Sequence, residues 1–435
     1  MRRRSLPRLI LLVSGSLVSA AAIACGLDVT GTAEPVVLDA GREAAPVDVD
    51  AEVEQRPCDA SLCVTAIAAE HLHTCAAIYG ERPRCWGAND HGELGIPDAS
   101  ADANALPMAV GVGEIELVAA GGFVGEMRPF TCATTKDRQL SCWGDDSLGQ
   151  RATDAGSDEA AVRAVPAKIE GMGDVSSLAA GGAHVCTGHA DGGVTCWGYG
   201  ANGQLGHPLA SGSTFDPVPA HVALPRAATA IATGGLHSCV VLDDKTVDCF
   251  GLNNLKQLGH ADTASSAPTI VEGVAPAVQV VAGFAHACAV LEDGTMQCWG
   301  YNAVGQLGQG TASLSEGPGA VDLPAGRSAK AACAGYLHSC AILDDGTVAC
   351  WGYNGRGQVG TGSVLPNGVA DPANVLVPQI VEGVAEVRAL ACAGQHTCAL
   401  HASGTVTCWG ANERGQLGRG TTDAVAHPEP GAVAF

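Results

Sequence analysis

The chain has 435 residues, 47% of them hydrophobic but 4% aromatic, with 58 glycines, 19 cysteines and a formal charge of −22. Binding to DNA or RNA draws mainly on phosphate neutralisation by basic side chains, so a chain this acidic is excluded as a direct nucleic-acid binder. The same charge opposes adhesion to anionic lipid, favours solubility and suits a basic partner.

The first predicted element is a secretory signal over residues 1–24. "MRRRSLPRLILLVSGSLVSAAAIAC" has a basic start, an apolar run from Leu9 to Ala24 and small residues before Cys25. That run is short for a membrane span, and no later segment is long and apolar enough to be one. Ala22-Ile23-Ala24-Cys25 resembles a bacterial lipobox, which implies that Cys25 becomes the lipidated first residue of the mature protein. Ala22 stands where that motif more often has leucine, and plain cleavage near the same site is the alternative. Residues 25–57 are then the lipidated cysteine and an acidic tether: positions 26–57 hold eight acids, two arginines and no repeated pattern. The expected location is the cell envelope or cell surface, with the membrane touched through the lipid anchor.

From residue 58 to 435 the sequence repeats. Cysteines stand ten apart at Cys75 and Cys85, Cys132 and Cys142, Cys186 and Cys196, Cys239 and Cys249, Cys288 and Cys298, Cys340 and Cys350, and Cys398 and Cys408. Six of the seven pairs end in Cys-Trp-Gly, and the other reads Cys249-Phe250-Gly251. In "HSCAILDDGTVACWG", residues 338–352, alternating strands flank an Asp-Asp-Gly turn whose last residue needs positive φ. Pairing Leu343 with Thr347 sets Cys340 opposite Cys350 and Ile342 opposite Val348, within reach of a disulfide. An exported chain meets oxidising conditions, so seven hairpin bridges are expected. Cys58 and Cys63 are expected to close a small loop. Cys333 and Cys392, each within Ala-Cys-Ala-Gly, read as the same place in neighbouring repeats and are expected to bridge them. Zinc is the competing reading, but no Cys-x-x-Cys is present and the spacing does not suit it. Buried reduced thiols are the other alternative, and neither a metal nor a cofactor is expected.

Trp-Gly positions recur every 49 to 58 residues, the period of a propeller blade rather than a helical solenoid. A Pro-x-x-Val/Ile strand begins at Pro107, Pro166, Pro219, Pro268, Pro318 and Pro378, ahead of repeats two to seven, and a last copy begins at Pro430. The expected fold is an all-β, seven-bladed β-propeller in which this C-terminal strand completes the first blade.

Ala-Gly-x-x-His-Ser/Thr-Cys, Asp-Gly-Thr-Val and Trp-Gly-x-Asn-x-x-Gly-Gln-Leu-Gly closely resemble the regulator of chromosome condensation repeat. The resemblance implies a seven-bladed propeller and runs from about residue 64 to the C-terminus. The family's eukaryotic founder is a guanine-nucleotide exchange factor for a small GTPase, an activity that an exported lipoprotein has no occasion to use. The departures are the paired cysteines, the export signal and a weak second repeat, where Arg138 replaces the turn glycine and Gln150-Arg151-Ala152 replaces Gln-Leu-Gly.

Six histidines share one register: His73, His184, His237, His286, His338 and His396. A ring of imidazoles could bind metal, but the position belongs to the repeat consensus and reads as structural. Asn89, Asn253, Asn302, Asn354 and Asn412 read as turn residues tolerant of positive φ. No nucleophile elbow, phosphate loop or His-Glu-x-x-His is present, so the chain reads as a non-enzyme.

Binding is expected where repeats depart from their pattern. Repeat two lengthens its Gly-to-Cys link as "GGFVGEMRPFTC", loses the histidine and gains Phe123, Met127, Arg128 and Phe130. Tyr199, Tyr301 and Tyr353 each follow Trp-Gly and form a second group, and the insertion at residues 361–378 is a third place. The expected function is a monomeric extracytoplasmic scaffold that presents a rim to a protein or glycan partner. The alternative is an inhibitor of a hydrolase, since a secreted bacterial propeller of similar repeat type blocks β-lactamases.

Overall fold

The structure is a computed structural model that describes residues 62–435 except 98, 100–102, 123–128, 154–162, 261–263, 366, 369 and 372. The export signal, Cys25, the tether and Cys58 therefore lie outside the described residues. Cys63, the expected partner of Cys58, is disulfide-bonded. No helix among the described residues is long and apolar enough to cross a membrane.

The described residues form seven four-stranded antiparallel sheets, with a small two-stranded hairpin inside the sixth repeat. Blade five shows the plan: Ala277–Ala282, His286–Leu291, Met296–Asn302 and Ser313–Ala320, paired in that order. First strands of neighbouring blades touch one another, so each sheet runs from the central axis outward. Second strands such as His237–Leu242 are buried at every residue because neighbouring blades cover both faces. A strand covered on both sides needs apolar residues on both faces rather than alternation, and Cys239 to Leu242 supply them, while the buried His237 and Ser238 at its start need hydrogen-bond partners.

The ring closes differently from the sequence expectation. The C-terminal strand Asp423–Ala432 pairs with Val406–Asn412 in blade seven, while blade one is complete in itself, with Asn104–Ala109 as its outer strand. Each Pro-x-x-Val/Ile strand thus ends the blade before it, and no blade borrows a strand. Blades seven and one meet through side chains and a few backbone contacts. Val64 N–H donates to Gly404 at 3.1 Å, the Arg388 guanidinium donates to the Val64 carbonyl at 2.5 Å, and Phe435 sets its ring edge-on to Trp86 at 5.7 Å.

One set of contacts repeats at the blade boundaries. Each of the six tryptophans donates its indole N–H, at 2.9–3.1 Å, to the main-chain carbonyl of Glu93, Gln150, Gln257, Gln306, Gln358 or Gln416 in the preceding blade. At five boundaries a Ser or Thr hydroxyl meets the preceding blade's histidine Nε2 at 2.8–2.9 Å: Thr131 with His73, Ser238 with His184, Ser339 with His286, Thr397 with His338 and Thr74 with His396. Each of these hydroxyls also donates to a Glu or Gln carbonyl at 2.8–3.2 Å, so its single proton is committed and the imidazole must donate from Nε2. The histidine register is a structural latch.

The remaining two boundaries lack the latch, and only one of them has changed on both sides. Phe130 occupies the histidine register of blade two, opposite Gly144 as His184 is opposite Gly198, and the matching position of blade three is Val185. His237 faces Ala287 at the equivalent place and finds no hydroxyl, and both its ring nitrogens are buried without a side-chain partner among the described residues. The five asparagines also act through side chains. None has positive φ; instead each Oδ1 accepts the N–H five residues on, as Leu258 donates to Asn253 at 2.9 Å, which braces the loop after Trp-Gly.

All seven hairpin cysteine pairs are directly opposed and bonded, with Cα separations of 4.1–4.2 Å. The turn position takes positive φ at Gly346 and equally at Arg138 and Lys245, where glycine is absent. Cys333 and Cys392 are bonded across blades six and seven, but they do not share a register. Cys333 lies opposite Cys340, whereas Cys392 lies opposite Thr397, one place further along its strand. Successive strand residues point to opposite faces, so the one-residue offset turns the two thiols toward each other.

Candidate functional site

Antiparallel strands numbered outward fix two unlike faces on the ring. Links from first to second and from third to fourth strands leave by one end of each sheet, the loop face. The second-to-third hairpins and the links to the next blade leave by the other, the hairpin face. All three sequence departures fall on the loop face. The long link of blade two joins Ile115–Gly121 to Phe130–Thr135, the tyrosines end third strands, and the insertion joins Val348–Tyr353 to Asn374–Ile380.

The residues differ in what they can offer. Phe123, Met127 and Arg128 lie outside the described residues. Phe130 is fully buried, so it fills the latch position and presents no surface, a correction to its reading as a contact residue. Tyr199, Tyr301 and Tyr353 are half-buried, and each backbone N–H is fixed at 2.8 Å to the carbonyl of Ala183, Ala285 or Leu337 in its own blade. The insertion turns back on itself as Ser363–Val364 and Ala370–Asp371 and lies along the C-terminal strand. Ala426 N–H donates to Gly368 at 3.0 Å, and the Arg356 guanidinium to the Ala424 carbonyl at 3.1 Å. This insertion braces blade seven.

Sequence reasoning missed an aromatic pair. Phe284 and Tyr336 stack at 4.7 Å and 28° across blades five and six, on the same first-to-second links that blade two lengthens. Tyr336 is 2% exposed, and its hydroxyl is buried with no partner among the described residues. Burial raises its pKa well above the usual phenol range, with the nearby Tyr301 adding to the effect. The signal was present: these two positions carry rings where repeats two, three, four and seven have glycine.

A charged group lies on the same face between blades one and two. His91 Nδ1 is 3.2 Å from the Asp145 carboxylate, and Arg163 is 3.6 Å from the same oxygen. The hydrogen bond to Asp145 raises the pKa of His91. Burial pushes the Asp145 carboxyl up, but hydrogen bonds from His91, Ser147 and Gln150 outweigh it and hold it well below the carboxylate range. Glu93, which replaces the glutamine of the other six repeats, is pushed by burial to about 7. The face thus combines the edges of three half-buried tyrosines with an ion-paired corner, while the stack of Phe284 on the buried Tyr336 ties blades five and six beneath it.

Fold and face together define a disulfide-stapled seven-bladed propeller with a differentiated loop face. The RCC1-like domain model matches residues 30–376, and models of the Regulator of chromosome condensation (RCC1) repeat match 387–416 and 403–433. The chain belongs to the RCC1-like domain family. It is similar to the Ultraviolet-B receptor UVR8 of Arabidopsis thaliana, 27% identical over 341 residues, 77% of this chain and 62% of that one. It is also similar to Protein pim1 of Schizosaccharomyces pombe, 26% identical over 381 residues, 83% of this chain and 61% of that one. The chain spans less than two thirds of the length of these curated relatives. Among solved structures, Prp20p from Saccharomyces cerevisiae superposes with a TM-score of 0.70 at 20% identity, covering 86% of this chain and 88% of its own. Human WBSCR16 does so with 0.67 at 22% identity, covering 80% and 94%. These two show the shared fold.

Proposed function

We propose that this protein is an exported, lipid-anchored binding scaffold whose loop face engages a protein partner outside the cytoplasm. The observation that carries the reading is the gathering of the departures from the repeat on one face, with the half-buried Tyr199, Tyr301 and Tyr353 within it. Aromatic side chains supply large contact area at low entropic cost, the usual make-up of binding hot spots. Propellers of this family act as protein-binding scaffolds, and Prp20p has binding properties to Gsp1p and histones. The export signal and Cys25 support the location, and the acidic charge suits a basic partner.

The test is affinity capture of envelope and secreted proteins by residues 58–435, followed by measured affinity for each purified candidate. A partner whose affinity falls at least tenfold with Tyr199→Ala, Tyr301→Ala and Tyr353→Ala supports the reading. A captured hydrolase whose activity is blocked makes the protein an inhibitor instead. Failure to bind any protein, with retention on a glycan array, overturns the protein-partner reading. The anchor is tested separately: Cys25→Ser should move the protein from the membrane fraction to the soluble one.

A further inference from the structure

A cavity of about 240 Å³ lies on the hairpin face, where the first strands of blades one to four meet. It exists because blade three is thin at this level. Gly188 stands where the second strands of blades four to seven carry Val241, Val290, Ile342 and Leu400. Beside it Ser177 stands where blade two has Leu117. Ala66, Ala230, Ala331 and Ala389 hold the Ser177 register in four other blades, so it is the side chain missing at Gly188 that leaves the inner end of blade three open.

The lining sorts by chemistry. Ile67, Val118, Leu178 and Ile231 form an apolar wall, extended by the small Ala66 and Ala230. The polar contribution is Ser176, Ser177, Thr229 and the edge of His189. Ser176 and Thr229 spend their hydroxyl protons on the carbonyls of Gly188 and Val241, each at 3.2 Å. The Ser177 hydroxyl makes no hydrogen bond among the described residues and is free to donate. His189 is held by the Thr195 hydroxyl at 3.0 Å, and burial lowers its pKa, so it is uncharged at neutral pH. No Lys, Arg, Asp or Glu lines the cavity.

We propose that this cavity is a binding site for a small neutral molecule with an apolar body and one hydroxyl or carbonyl group placed at Ser177. Size and lining set the class. A dry cavity of about 150 Å³ holds benzene, so this one takes a ring with a short substituent, roughly eight to ten non-hydrogen atoms. An ion would be stripped of water with no opposite charge to meet it. The site lies on the face opposite the proposed protein contact and does not depend on it.

Benzyl alcohol is the probe, followed by ligand-detected NMR and thermal unfolding of residues 58–435. Saturable binding is expected, with a rise in melting temperature. Ala230→Leu should weaken it at least tenfold by filling the cavity, since Leu117 shows that this register accepts leucine. Ala389→Leu, at the same register in blade seven and away from the cavity, should leave binding unchanged. Toluene should bind several-fold more weakly than benzyl alcohol, and Ser177→Ala should erase that preference. No saturable binding up to the solubility limit, or equal loss in Ala230→Leu and Ala389→Leu, overturns the proposal. A preference that survives Ser177→Ala overturns the placing of the polar group.

Discussion

His396 of blade seven and the Thr74 hydroxyl of blade one lie 2.8 Å apart, although 322 residues separate them in the chain. The same hydroxyl and the Trp86 indole both donate to the Gln416 carbonyl, at 3.2 and 2.9 Å. The ends of the chain are joined by the contact set that joins blades in the middle. Closure therefore rests on the same set, to which Arg388 on the Val64 carbonyl and Phe435 against Trp86 are added.

The weakest boundary latch is His237 against Ala287. Ala287→Ser should give the imidazole its missing partner and raise stability by about 1 kcal/mol, read from urea unfolding midpoints. The gain should vanish in a His237→Phe background. No gain in the native background would refute the latch account.

Phe130 and Val185 form the apolar version of the same latch. Phe130→His should cost about 2 kcal/mol or more, because it buries an imidazole with no hydroxyl to receive it. Adding Val185→Thr should recover about 1 kcal/mol. Additive losses in the double variant would show that the two positions are not coupled.

Acid should open the ring. Burial, helped in four of the five by neighbouring histidines, holds His73, His184, His286, His338 and His396 at about 3, and burial holds His237 at about 4. These depressed values mean that unfolding takes up protons below the ordinary 6.5. Stability is full above that pH and falls as pH drops toward 3 to 4, by up to roughly 1.4 kcal/mol per unit for each ring. Stability that stays flat between pH 7 and 5 would contradict it.

Glu93 has the opposite sign. Its raised value, about 7 against an ordinary 4.5, means that folding costs increasingly more as pH rises between those values and a constant amount above. Glu93→Gln should therefore stabilise by roughly 2 to 3 kcal/mol at pH 8 and by little at pH 4. The difference between the two pH values is the measurement, and equal gains at both would point to packing instead of ionisation.

The bridge from Cys333 to Cys392 closes a separation of 59 residues, against 10 for each hairpin. Cys333→Ala with Cys392→Ala should cost roughly 3 to 4 kcal/mol. Cys288→Ala with Cys298→Ala should cost less, because those strand ends are already paired. Equal losses would argue against a role in tying blades six and seven.

The hairpins were legible because a constant cysteine spacing across a short turn leaves one antiparallel register. The phase of the blades was not. The repeat reads equally well with the Pro-x-x-Val/Ile strand at its start or its end, and the choice is made by Asp423–Ala432 pairing within blade seven. Cys333 and Cys392 look equivalent in Ala-Cys-Ala-Gly, yet blade seven has one residue fewer before its histidine, which shifts the register. Phe130 was read as a surface ring because an insertion precedes it, although Phe-Thr-Cys matches the His-x-Cys of the other repeats. Of the loop-face residues, the tyrosines stood out by their shared position, while Phe284 and Tyr336 become a pair only when blades five and six are set side by side.

Blades made of four consecutive strands have a consequence for how the gene for such a chain can be rearranged. A cut in any link between blades severs no hydrogen-bonded ladder. Joining Phe435 to the start of blade one and reopening the chain at another such link would leave every sheet and every hairpin disulfide as it is. The molecule thus has seven equivalent places for its termini, and the present ends use one of them.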